Sequence, residues 1–279
     1  MTAAKNIAAS VRARLMNRAR ADNVDFQLMF TRYALERVLY RLSVSAWAGQ
    51  FLLKGALLFD VWFDQPQRPT RDIDLLGFGP ADLEYLNTVF EDVSAQPCDD
   101  GMTYDAASVR VAKIRKETGY EGVRVTLVGW LDGARCKVQV DVGYGDAVMP
   151  AAESVLFPVV LDDMPPATLR AYPVYTVVAE KYQAIVVLGL ANTRMKDYFD
   201  LWFLARHAMI DRATLAQAIQ ATFERRKTPV PKIVPLGLSL RFATDPVKLQ
   251  QWKAFLSKNK LSAADLAEVV DILRGLVGV

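Results

Sequence analysis

Cysteine, histidine and long apolar runs are scarce in this chain, and each scarcity excludes something. The two cysteines, Cys98 and Cys136, show neither metal-binding nor disulfide-framework spacing, and a lone His207 excludes a multi-histidine metal centre. A reducing compartment follows, so a cytoplasmic location is expected. No apolar stretch approaches the ~20 residues that span a bilayer; the best candidate, AIVVLGLA, is far too short, so no membrane partner is expected. Acids are missing from the first twenty residues, MTAAKNIAASVRARLMNRAR, as in organelle transit segments. That stretch runs on into a further helical pattern without a processing signal. Neither sign of charge dominates: 34 basic against 31 acidic residues leave +3, with a pI near 8.8. This balance permits an anionic partner without demanding one. With 279 residues, 52% of them apolar, the chain holds enough core for one large or two ordinary domains.

What is present divides the chain. Residues 3–20 and FQLMFTRYALERVLYRLS (26–43) carry apolar residues at helical spacing, with arginines at 12, 14, 18, 20, 32, 37 and 41 and only Asp22, Asp25 and Glu36 as counter-charges. Two basic amphipathic helices are expected. Their arginines form either a solvated face on a packed bundle or a face that holds a phosphate backbone. AGQFLLKGALLFDVWF reads as a short strand, a turn at Gly55 and a helix; DQPQRPT is a Pro-punctuated loop; a further helix follows Pro80. SVRVAKIRKE, GVRVTLVGWLDG and ARCKVQVDVGYGD alternate faces and join through glycines, the mark of antiparallel strands. After FPVVLDDMPPATLRAYPVY the strand signals stop, and five segments between 176 and 277 show helical spacing, several opened by Thr, Asp or Ser as N-caps. The expected architecture is α+β over 1–165 and helical over 166–279. RRKTPVPKIVP, inside the helical half, reads as an ordered loop or a mobile flap.

The chemistry concentrates in RPTRDIDLLGF. In an extended segment side chains alternate faces, so Asp72 and Asp74 point one way while Ile73 and Leu75 point into the core. Paired carboxylates persist where cations or strong donors meet them. Asp141, in KVQVDVG, has matching parity on a later strand; if that strand lies beside the first, three carboxylates converge. Such hard oxygen donors suit Mg²⁺, which completes its shell with water and substrate phosphates. Gly55 ahead of a helix lets backbone amides approach phosphates, and Lys54 adds charge. Arg71 stands ready to contact a phosphate or to screen Asp72. Glycosyltransferases use a similar acid pair, so the order glycine turn, helix, DxD strand and third Asp strand carries more information than any single motif.

LLKGALLFDVWFDQPQRPTRDIDL, VQVDVGYGD and VVAEKYQAIVVLGLANTRMKDYFDLWFL together resemble the AbiEii/AbiGii toxin family of the polymerase-beta-type nucleotidyltransferase superfamily, which includes the mycobacterial MenT toxins. The likeness extends over roughly residues 45 to 210. It implies a polymerase-beta-like core with a mixed or antiparallel sheet, followed by a helical C-terminal half. It further implies that Asp72 and Asp74 bind Mg²⁺, that Lys181 reaches the triphosphate of a CTP, UTP or GTP substrate, and that Asp197 completes the site. In MenT-like members the activity is transfer of nucleotides to the 3′ end of tRNA, which stops translation; a cognate antitoxin is expected from the family alone. One departure stands out: Gly55 is followed by Ala56, where the superfamily has Gly-Gly or Gly-Ser, and the spacing to Asp72 is somewhat longer.

The residues also read from below. Most neighbours of Lys181 in AEKYQAIVVLG are apolar, placing it at the edge of a buried helix with a phosphate, Glu180 or Asp200 as counter-ion. Asp197 and Asp200 share a helical face, where they serve as caps, orient Lys181 or join a metal shell. His207 reads as a helix-end residue. Three functions therefore remain in view: nucleotidyl transfer to RNA, transfer to a protein or small molecule, and a nucleotide-binding module without turnover.

Overall fold

Aspartates fix where half of the ten α-helices among the described residues begin. In the computed structural model, which describes residues 6–63, 68–115 and 121–279, Asp25, Asp82, Asp211, Asp245 and Asp265 each accept a hydrogen bond from a first-turn backbone N–H. These bonds satisfy donors that the helix itself leaves open. Asp265, three residues inside the segment that starts at Ser262, sets the last helix because its carboxylate reaches the Glu268 amide.

The chain forms two units, residues 1–145 with 153–171, and residues 146–152 with 172–279. The first contains α1 (Ile7–Ala21), α2 (Phe26–Val44), β1 (Phe51–Lys54), α3 (Leu58–Phe63), β2 (Ile73–Gly77), α4 (Leu83–Ala95), β3 (Thr103–Arg115), β4 (Glu121–Leu131), β5 (Ala134–Tyr144), β6 (Glu153–Phe157) and β7 (Ala167–Ala171). The strands make one mixed sheet in the order β3-β4-β5-β2-β1-β7-β6. The β2–β5 and β1–β7 pairs are parallel and the others antiparallel. The α+β expectation holds. β6 and β7, only five residues each, went unread in the sequence; β7 carries this unit past residue 165 to Ala171 by pairing with β1.

Alternation builds the core. Along β5, Cys136, Val138, Val140 and Val142 are buried, with Val125 and Leu127 of β4 beside them, under a layer that includes α2 and α4. The β4–β5 hairpin turns at Asp132 and Gly133, both at positive φ, which suits a two-residue loop with right-handed strand twist.

Most arginines of the two N-terminal helices are paired with acids. Arg12 pairs with Asp132, Arg14 with Asp163, Arg18 with Asp22, Arg32 with Asp60 and Arg41 with Asp100. Arg37 is fully buried against Glu36, donates to the Pro165 carbonyl at 3.0 Å and lies over the Tyr33 and Tyr40 rings. Asp22 and Glu36 are local partners, whereas Asp60, Asp100, Asp132 and Asp163 lie far along the chain, where helical periodicity does not register them.

The second unit contains α5 (Val174–Leu188), α6 (Met195–His207), α7 (Arg212–Arg225), α8 (Leu240–Ala243), α9 (Pro246–Asn259) and α10 (Leu266–Val277). Among the described residues, Val174–Ala191 is one helix long and apolar enough to cross a membrane by length and composition. It also packs against α7, buries Thr176 and Gln183, and carries Glu180 and Lys181, the marks of a core helix.

Candidate active site

Four strands place a row of charge on one face of the sheet. Lys54 at the end of β1 is opposite Asp74 on β2; Asp74 is in register with Asp141 on β5; Asp141 is opposite Arg124 on β4. Residues in register share a face, so β5 lies beside the acidic strand and Asp74 and Asp141 occupy one face of the sheet. Asp72 has the same parity one step before β2 and accepts a hydrogen bond from Thr70 Oγ1 at 2.8 Å. Arg71 is exposed beside it.

Gly55 follows Lys54 at φ +77°, opening a tight turn through Ala56 and Leu57 into α3. A Cβ built on Gly55 would lie 2.7 Å from the Cβ of Asp74 and on top of its Oδ2. Glycine is thus required twice: for the left-handed backbone, and to let the main chain approach the Asp74 carboxylate.

Arg124 escaped the sequence reading. Its Nε and Nη2 donate to the two oxygens of Asp141, each at 2.8 Å. Hydrogen bonding to Asp141, and the charges of Asp141, Asp72 and Asp74, raise its pKa further. Strand parity put Arg124 on the acidic face, but only pairing of β4 with β5 put it on Asp141. Among the described residues no cluster of three metal-ligating side chains is assembled. The donor chemistry of Asp72 and Asp74 nevertheless fits Mg²⁺, which takes one or two carboxylates and leaves other positions for phosphate.

The second unit holds a separate charged group. Lys181 on α5 sits 2.8 Å from Asp197 and 2.8 Å from Asp200, both on α6, and Arg194 Nε lies 2.7 Å from the other Asp197 oxygen. Asp197 and Asp200 are buried, while Lys181 keeps 13% of its side chain exposed. Burial would push the Asp197 carboxyl up, yet the charges of Lys181 and Arg194 outweigh it and hold the pKa below the usual range. The i, i+3 spacing read from the sequence therefore brackets one ammonium. Arg226 makes a second such centre with Asp146 at 2.9 Å, Glu180 at 3.2 Å and Gln183 at 3.0 Å, so this arginine of the RRKTPVPKIVP segment is engaged within its unit. His207 ends α6 and stacks on Phe203.

Residues 37–272 match the model of the family described as nucleotidyl transferase AbiEii toxin, Type IV TA system. The chain belongs to the AbiEii toxin family. Two solved structures share its fold. One is a presumed nucleotidyltransferase from H. pylori, 15% identical with TM-score 0.51, covering 91% of this chain and 95% of that one. The other is JHP933 from Helicobacter pylori, 15% identical with TM-score 0.50, covering 91% of each chain. No curated protein matches. AbiEii membership makes the chain a toxin-type nucleotidyltransferase that uses an NTP and has an antitoxin partner.

Proposed function

We propose that this AbiEii protein transfers a nucleoside monophosphate from CTP, UTP or GTP to the 3′-hydroxyl of tRNA, with Mg²⁺, and so inhibits translation. The observation that carries the reading is the Lys54, Asp74, Asp141 row with Gly55 packed onto the Asp74 carboxylate, in a chain of nucleotidyltransferase family.

Asp72 and Asp74 would hold the cation. When bound, Mg²⁺ supplies Lewis acidity to the attacking hydroxyl and to the departing pyrophosphate. The Gly55 turn, free of a side chain, leaves room for the Asp74 carboxylate against the main chain. Lys54 offsets phosphate charge. Within the second unit, Asp197 and Asp200 fix the Lys181 ammonium between them. Asp197 acts as a positioning residue.

The test is incubation of the purified protein with tRNA, Mg²⁺ and each α-labelled NTP, with Asp74→Ala as control. Label on the RNA 3′ end, lost in the control, is expected. Label on protein or on a small molecule, with RNA unlabelled, overturns the tRNA assignment.

A further inference from the structure

We propose that the outer face of β3, β4 and β5 is the docking surface for a single-stranded 3′ end of the acceptor RNA, an inference that rests on nucleotidyl transfer to RNA. Side chains in register share this face: Trp130 with Arg135, Val128 with Lys137, Arg110 with Thr126 and Gln139, and Arg124 with Asp141. The opposite face of the same strands is closed core, with Val138 and Val140 fully buried.

Three properties make this face fit that ligand. It is open: Arg110, Arg135 and Lys137 are exposed, and Trp130 leaves 40% of its surface in solvent. It is electropositive away from the acids. Arg135 and Lys137 make no ion pair among the described residues, whereas the arginines of α1 and α2 are mostly neutralised by aspartates and Glu36. Asp105, the acid on β3's share of the face, accepts from its own strand at the Ala107 amide. Finally, the face leads to the reaction centre. Arg135, Lys137, Gln139 and Asp141 follow one another along β5 on one side, at steps of roughly 7 Å, a path of about 20 Å. It ends beside Asp74.

An exposed indole on an open sheet face stacks unpaired bases, and flanking cations hold the backbone. A duplex offers no unpaired base to stack, so single-stranded RNA is the favoured occupant.

The experiment measures binding of a labelled single-stranded RNA with a free 3′-hydroxyl, and of its duplex, to the full chain over a salt series. Thermal midpoints verify that each variant is folded. Arg135→Glu with Lys137→Glu is expected to weaken single-strand binding more than tenfold and to reduce the slope of log affinity against log salt by about 1.4, two phosphates' worth. Trp130→Ala is expected to weaken it about five- to a hundredfold with the salt slope unchanged. Unchanged affinity in folded variants, or preference for duplex, overturns the docking face. If wild type labels RNA and the face variants label it equally well, the face is wrong and the transfer reading stands. If wild type labels only protein, both fall.

Discussion

Gly55 lies so close to Asp74 that no other residue fits between the β1 turn and the carboxylate: a Cβ there would sit 2.7 Å from the Asp74 Cβ. Gly55→Ala therefore meets two penalties, a left-handed backbone costing about 1–2 kcal/mol and displacement of Asp74. Transfer should fall at least about a hundredfold, since misplacing a reacting group by ~1 Å costs that much. In an Asp74→Gly background, which removes the Cβ as well as the carboxylate, the stability loss from Gly55→Ala should shrink toward the backbone term alone. Denaturant melts of the four proteins in the cycle check this non-additivity.

Lys181 joins two buried carboxylates. Replacing it by Ala leaves Asp197 and Asp200 without that cation, and removing one member of a buried ion pair costs about 3–5 kcal/mol. Its absence also lets burial drive the Asp197 carboxyl up. The wild-type contribution is present above the unfolded pKa and lost as pH falls below it. The stability gap between wild type and Lys181→Ala should therefore be widest at neutral pH and narrow in acid, as urea melts from pH 7 down to pH 3 would reveal.

Arg124 occupies both oxygens of Asp141. Arg124→Gln should free them and tighten Mn²⁺ binding in the absence of nucleotide by about tenfold, read by calorimetry. Unchanged Mn²⁺ affinity would mean that Asp141 serves to hold Arg124 and not a cation.

Glu36 sets a pH dependence away from the site. Burial raises its pKa to about 7 against the opposing charge of Arg37 and the hydrogen bond from the Val160 amide. The folded state then binds a proton that the unfolded state has released, so this contribution is greatest in acid and disappears as pH rises through 7. Its ceiling is roughly 3 kcal/mol, at ~1.4 kcal/mol per tenfold change in proton affinity. Glu36→Gln should flatten the decline in stability between pH 5 and pH 8.

Local rules made much of this protein legible. The Asp72, Ile73, Asp74 alternation announced a strand with one acidic face, the glycine at 55 announced a turn, and i, i+3 spacing put Asp197 and Asp200 together; each depends on neighbours a few bonds away. The partners of most arginines on α1 and α2 were not legible, because Asp60, Asp100, Asp132 and Asp163 answer them from afar.

By itself the sequence determined the periods, the turn chemistry and the carboxylate faces, since backbone sterics and side-chain alternation are set within a few residues. Tertiary structure alone decided the partners: Arg124 on Asp141, Lys181 between two α6 aspartates, and a sheet face left open and basic. Register and helix packing bring together residues from 16 to beyond 100 positions apart, and a charge takes its role from the group it meets once water has been excluded.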